Sequence, residues 1–291
     1  QQHHSGPGAS RAASWNEDLL NSMLTRAYIS SKKVIATGIL FSYQAYVLIF
    51  FLPSLLLAGA VFYIASFFDR NGNLACRCMV RWAKISLSLA WLRVEIVGKE
   101  RLNPKGTYIF MANHASFLDI LLILAFVPHN FRFIIKRELF MAPLLGQVLR
   151  RCGEIPIDRN NPWKALRSLG RAASHLKQGT SIVVFPEGTR TPDGKIQEFK
   201  KALFVLPIRT RLPVVPVLIE GTFHALRRGS YLLHRVPLKM TFYEPIPTKS
   251  LDVGNREILA DKVRQILTKS YGASAASSTE ESCHRQAADR S

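Results

Sequence analysis

The chain is short of acid. Over 291 residues it sets 20 Asp and Glu against 39 Lys and Arg, a net charge of +19. An excess of that size implies an anionic partner: nucleic acid, an anionic membrane face or a phosphorylated substrate. Aromatic residues lie inside apolar runs rather than among the cations, and RNP, KH and zinc-finger signatures are missing. Nucleic acid is therefore the weakest of the three partners. Cysteine is scarce, with only Cys76, Cys78, Cys152 and Cys283. The single C-x-C has no second pair, which argues against a zinc site, and the four thiols read as reduced and intracellular. There is no G-x-S-x-G and no reactive-cysteine context, which argues against an acyl-enzyme. Gln1, not Met, opens the chain, so N-terminal targeting is left unread.

The longest absence is of charge. From Val34 to Phe68, 35 positions carry no Asp, Glu, Lys or Arg, whereas a bilayer core needs only about 20 helical residues. The run is read as membrane-inserted. Pro53 lies near its middle and breaks or kinks a helix, which leaves a long kinked span or a hairpin dipping into one leaflet. Arg26, Lys32 and Lys33 precede the run, and Arg70, Arg77, Arg81 and Lys84 follow it. A single span would strand one basic cluster on the far side, so the positive-inside tendency favours the hairpin. Residues 1–13 read as disordered, and Trp15–Lys33 as a short amphipathic helix. Leu74–Leu92 reads as an amphipathic helix whose basic face lies on headgroups, or equally as a helix of the domain core.

What is present thereafter is a strand–helix rhythm. Strand-like runs fall at 93–97, 107–112, 131–135, 154–157, 181–185, 214–219 and 239–243. Helical patterns fall at 117–126, 138–150, 162–177, 199–208 and 255–270. This alternation predicts an α/β fold with a largely parallel sheet flanked by helices. The expected partition is a polar N-terminal region (1–33), membrane-attachment helices (34–92), an α/β domain (93–271) and a disordered tail (272–291).

The strand-like run 107–112 delivers Asn113-His114-Ala115-Ser116-Phe117-Leu118-Asp119. Strands of a parallel sheet build sites at their C-terminal ends. Ser116 and Asp119 form an S-x-x-D helix start. With Ser116 as N-cap, Asp119 in the first turn reaches back to the His114 imidazole. A carboxylate on one ring nitrogen fixes the tautomer and leaves the other nitrogen free to take a proton. Taken alone, H-x4-D reads more readily as a satisfied histidine beside a helix. Lys136, Arg159 and Arg190 each follow a strand-like run, so they would converge on one mouth of the sheet, where they suit a phosphate. Each, singly, is also an ordinary solvated charge.

A second block, Phe185-Pro186-Glu187-Gly188-Thr189-Arg190, follows the run 181–185. With Asn113–Asp119, Gly153-Glu154-Ile155-Pro156-Ile157-Asp158-Arg159 and Val214-Val215-Pro216-Val217, it resembles the 1-acylglycerol-3-phosphate acyltransferases, over roughly residues 90 to 250. The resemblance implies a glycerolipid acyltransferase-like fold. It implies transfer of an acyl group from acyl-CoA or acyl-carrier protein to lysophosphatidic acid, giving phosphatidic acid, with no cofactor and no metal.

His114 and Asp119 are then catalytic, with direct attack by the substrate hydroxyl. Arg159 and Arg190 hold the acceptor headgroup, aided by Lys136, and Glu187, Gly188 and Thr189 contribute to acceptor binding. Glu187 is expected to bond the acceptor or to hold Arg190. Pro216 is expected at a sheet edge or bulge. Relatives commonly carry Phe-Lys-x-Gly after the second block, where this chain has Phe199-Lys200-Lys201-Ala202. Anionic lipids are expected partners, in an inner or cytoplasmic membrane with the domain facing the cytoplasm. The alternatives are a different acceptor (glycerol 3-phosphate, another lysophospholipid or an aminoacyl lipid) or a non-catalytic basic membrane-binding module.

Overall fold

The structure is a computed structural model. It describes residues 8–68, 73–143, 145–158, 170, 176 and 179–271. The chain divides into two units, residues 1–50 and residues 51–291.

Helix α1 runs from Gly8 to Phe68. It replaces the disorder expected at 8–13, absorbs the short helix expected at Trp15–Lys33, and continues through Pro53. A hairpin at Pro53 is therefore not formed. Proline removes one intrahelical N–H, and hydroxyl side chains commonly re-satisfy the loosened carbonyls. Ile49 O is the carbonyl left by Pro53, and Ser54 Oγ donates to a neighbouring one, Phe51 O, at 2.8 Å. Within α1, Thr37–Ala65 is a candidate membrane span of mean hydropathy 2.5. Its 29 residues extend ~43 Å at 1.5 Å each, against a hydrocarbon core of ~30 Å.

The second unit begins with the end of α1 and with α2 (Asn73–Leu89), whose Trp82 meets Phe51 and Phe62 at centroid distances of 5.9 and 6.3 Å. Seven strands follow among the described residues: β1 (Val94–Val97), β2 (Ile109–Ala112), β3 (Phe131–Lys136), β4 (Ile155–Ile157), β5 (Ser181–Val184), β6 (Val214–Glu220) and β7 (Leu238–Phe242). They form one sheet in the order β1-β7-β6-β2-β5-β3-β4. β6, β2, β5, β3 and β4 are parallel, β7 is antiparallel to β6, and β1 is parallel to β7. The largely parallel sheet read from the alternation is therefore present. All four residues of β2 and of β5 are buried, as expected of parallel strands covered on both faces. One cover is α3 (Leu118–Phe126), which packs against α2. Another is helix 256–271, whose Leu259, Ala260, Val263 and Leu267 enter the core at helical spacing.

Three expectations need correction. The helix expected at 138–150 splits into a 3-10 turn, Arg137–Met141, and α4, Leu145–Arg151, because Pro143 lies between them. The helix expected from 199 begins as a 3-10 turn, Lys201–Phe204, and is α-helical over Val205–Thr210. Of the two places expected for Pro216, the edge is excluded, since it lies in β6, an interior strand, whereas the interrupted register beside it fits a bulge. Its carbonyl accepts Tyr243 N–H at 3.0 Å on the β7 side. The missing N–H falls on that same side, between the last β6–β7 pair, Val217↔Phe242, and the isolated bridge Val214↔Ile246. No ladder bond is lost there. The helix expected at 162–177 lies outside the described residues apart from Gly170 and Leu176, as does the tail from 272.

The C-terminal ends of β2 and β5 are neighbours, and here the crossovers diverge: β2 leads to β3 on one side, and β5 to β6 on the other. Such a switch point opens a crevice. Asn113, buried at the end of β2, keeps β6 attached beyond the ladder. Its side-chain amide donates to Ile219 O at 2.9 Å and accepts Ile219 N–H at 2.7 Å. Asn113→Ala should strand both Ile219 groups, at about 2–4 kcal/mol for the pair. The check is the thermal midpoint of the detergent-solubilised protein; an unchanged midpoint would contradict the role.

Candidate active site

The site begins one residue past β2. Asp119, in the first turn of α3, is fully buried. Its Oδ2 accepts Ala115 N–H at 2.6 Å and Ser116 N–H at 2.8 Å, and lies 2.8 Å from His114 Nδ1. An oxygen already receiving two N–H donors can only accept from the ring. In the neutral ring the proton therefore belongs to Nδ1, and Nε2 is left bare. Among the described residues Nε2 has no hydrogen-bond partner. The helix start is only half the capping box expected: the Asp119 carboxylate caps Ser116 N–H, but helix geometry starts at Leu118. Ser116 Oγ instead donates to Leu226 O at 2.7 Å and receives Leu118 N–H at 3.3 Å.

The neighbouring strand end fixes the ring from its other side. Phe185 stacks on the His114 imidazole, with centroids 4.1 Å apart and an interplanar angle of 17°. Glu187 is buried two residues later. Its Oε1 accepts His114 N–H at 2.7 Å, and its Oε2 accepts Gln197 N–H at 2.9 Å. Thr191 N–H in turn donates to His114 O at 2.9 Å. Both main-chain groups of His114 are thus held by the segment 185–191. Of the two roles expected for Glu187, holding Arg190 is not what its oxygens do: Oε1 backs His114 and Oε2 holds the Gln197 main chain. The sequence contained no signal of it, since its partners are main-chain groups from a strand and a turn far apart in the chain.

Gly188 closes the Phe185–Gly188 turn at φ +76°, and the Lys200 side chain lies where a Cβ would stand, 2.8 Å from Cε. A larger residue there would displace Lys200. Ala202, where relatives carry glycine, sits exposed in the 3-10 turn Lys201–Phe204 with ordinary negative φ, so it needs no glycine. Thr189 is exposed. The Arg190 guanidinium lies 3.9 Å from the Phe117 ring centroid. Partial burial, and then the neighbouring Arg228, push Arg190 below its ordinary value, while Asp119 pulls the other way. Arg228 Nη1 donates to Arg190 O at 3.3 Å. Among the described residues neither guanidinium is paired with a carboxylate. Phe185, Phe117 and Arg228 were not singled out from the sequence; Phe185 and Phe117 lay inside the quoted blocks, whereas Arg228 is in none.

Lys136 ends β3, next to β5, on the same edge of the sheet. It is exposed and pairs with Glu138 at 3.4 Å. It lies two strands from His114, about 10 Å at the usual strand spacing. Arg159 lies outside the described residues.

Residues 93–220 match the sequence model of the family described as Acyltransferase. The stretch 93–220 is thus similar to an acyltransferase domain. It is 36% identical over 156 residues to a coconut (Cocos nucifera) 1-acyl-sn-glycerol-3-phosphate acyltransferase, covering 53% of this chain and 50% of that protein. It is 31% identical over 176 residues to the human alpha form of that enzyme, covering 60% and 62%. The chain thus spans about half to two-thirds of the curated relatives it matches. It also resembles the crystal structure of the 1-acyl-sn-glycerophosphate acyltransferase of Thermotoga maritima, with a TM-score of 0.68 and 28% identity. That likeness covers 81% of this chain and 96% of the bacterial one.

Glu187 also carries a pH signature. Burial pushes its carboxyl up to about 7, against the pull of the Gln197 and His114 N–H groups. Glu154, buried beside Phe133 N–H, is raised to about 7 for the same first reason. An acid raised by folding binds more protons in the folded state than in the unfolded one. Its contribution is complete below the unfolded value near 4.5 and is lost as pH rises to about 7. The thermal midpoint should therefore fall between pH 4.5 and 7. Glu187→Gln should flatten that slope, Glu154 retaining the rest. It should also lower the midpoint at every pH, because an amide NH2 would face a backbone N–H, at about 1–3 kcal/mol. An unaltered slope in the variant would contradict the assignment.

Proposed function

We propose that this chain transfers a fatty acyl group from acyl-CoA or acyl-carrier protein to the sn-2 hydroxyl of 1-acylglycerol 3-phosphate, giving phosphatidic acid. The observation that carries the reading is the 2.8 Å bond from His114 Nδ1 to Asp119, which leaves Nε2 of the neutral ring bare, while Arg190 and Arg228, neither paired with a carboxylate among the described residues, lie on segments bonded to the same loop. Nε2 takes the hydroxyl proton as the oxygen attacks the thioester carbonyl. Asp119 steadies the imidazolium so formed. Collapse of the tetrahedral intermediate breaks the C–S bond, and the departing thiolate recovers the proton from Nε2. Arg190, with Arg228 at its back, offers the phosphate a bidentate fork. Lys136 and Arg159 are the further cations of that mouth. The reaction calls for no metal and no cofactor.

The same reading places the protein at a membrane. Thr37–Ala65 supports attachment through a single apolar helix, and residues 93–271 form the catalytic domain on the cytoplasmic face. The relatives named for 1-acyl-sn-glycerol-3-phosphate favour that acceptor over other lyso-acceptors.

His114→Ala should lower turnover by ~10²–10⁴-fold, the usual contribution of a general base, with the thermal midpoint nearly unchanged. Asp119→Asn should be comparably severe. Arg190→Ala should cut the efficiency with lysophosphatidic acid about ten- to hundredfold, and much less with a lyso-acceptor lacking phosphate. Purified protein, labelled acyl donor and a panel of acceptors measure all three. Turnover in His114→Ala within a few-fold of wild type would overturn the mechanism, and an equal loss on both acceptors in Arg190→Ala would overturn the phosphate contact.

A further inference from the structure

A patch beside the site is built to stay exposed. Loop 226–237 leaves the site by two contacts: Leu226 O accepts Ser116 Oγ, and Arg228 Nη1 reaches Arg190 O. It ends at the foot of α2, where the Arg235 guanidinium lies 5.3 Å from the Trp91 ring. Between these ties Tyr231 is 97% exposed and Leu232 48%, while the next residue, Leu233, is buried. The loop is pinned in this attitude by its own bonds: Ser230 N–H to Arg227 O, Leu232 N–H to Ser230 Oγ and His234 N–H to Ala225 O. Trp91 is 61% exposed at a left-handed φ of 53°, a conformation that a bulky residue adopts only under constraint.

Along loop 226–237 and along α2 the charge has one sign. No Asp or Glu occurs between Glu220 and Glu244, whereas Arg227, Arg228 and Arg235 are exposed. Arg77, Arg81 and Lys84 are exposed on α2, which leads directly into Trp91. Tryptophan and tyrosine with arginine around them suit the boundary between headgroups and acyl chains. There the rings sit half-buried, and the guanidiniums reach lipid phosphates. A soluble anionic protein would match the charge but would leave Tyr231 and Leu232 without an apolar phase.

We propose that loop 226–237, together with Trp91, docks the catalytic domain onto an anionic lipid surface, as a contact distinct from the apolar helix α1. Tyr231, Leu232 and Trp91 enter the headgroup boundary, and Arg227 and Arg235 pair with lipid phosphates. Because the loop bonds directly to the His114 and Arg190 segments, docking sets the mouth of the site against the bilayer. The consequence for the acceptor rests on the acyltransferase reading; the docking does not.

The test uses the full chain carrying Tyr231→Trp, reconstituted in vesicles of brominated-acyl phosphatidylcholine with or without phosphatidylglycerol. The emission added over wild type should be lost to bromine quenching in the anionic vesicles and should persist in the neutral ones. Adding Arg227→Glu and Arg235→Glu should restore it. In a Tyr231 background the same pair of reversals should raise the KM for lysophosphatidic acid in anionic vesicles roughly tenfold, and leave the KM for a short-chain, water-soluble acceptor unchanged. Emission that stays unquenched in anionic vesicles, is quenched equally in both kinds, or is shielded by acyl-carrier protein instead would overturn the proposal. Quenching without turnover would overturn the acyltransferase reading and leave the docking standing. Turnover without quenching would do the reverse.

Discussion

One carboxylate oxygen organises the site. Asp119 Oδ2 gathers the His114 ring and the N–H groups of Ala115 and Ser116 within 2.6–2.8 Å. The interaction turns a loop of four residues into a fixed cradle, starts α3, and selects the tautomer of His114. None of this survives if the oxygen moves. It is kept in place by full burial, with α3 held between the sheet and α2. The apolar packing of α3 is thus the mechanical support of a polar arrangement, so the ring is oriented before any substrate arrives.

The sheet supplies what the carboxylate alone cannot. Because β2 and β5 are adjacent and parallel, two loops distant in sequence emerge side by side. The segment after β5 then closes on His114 with three different contacts: the Phe185 ring on its face, Glu187 on its N–H, and Thr191 on its carbonyl. Phe185–Arg190 is therefore a clamp on His114. Arg190 itself is steered by the Phe117 ring, which belongs to the His114 loop. The two blocks brace each other, and a change in one is felt in the other.

The pairing of His114 with Asp119 and the strand sequence could be read from the chain, because both are set by local spacing. An H-x4-D loop before an apolar run leaves the carboxylate little choice of partner, and β-rich runs between turn residues announce strands whatever their neighbours. Features decided by tertiary context could not be read. Glu187 found its partners across the sheet. Pro216, for which propensity left an edge or a bulge open, sits inside the sheet where the ladder toward β7 is broken. Pro53 interrupts the run without ending α1, whereas Pro143 does split a helix. Arg228 lies in no recognised block, and only the fold sets it beside Arg190.

The claim on which the site depends is that Asp119 holds His114 with its proton on Nδ1 and Nε2 bare. Nitrogen NMR of the full chain in micelles, labelled with 15N in histidine alone, reads this directly at neutral pH. His114, assigned by its loss in a His114→Gln sample, should show a protonated Nδ1 and an unprotonated Nε2. In Asp119→Asn that single tautomer should give way to a mixture. A His114 ring carrying its proton on Nε2 in the wild-type protein would contradict the account.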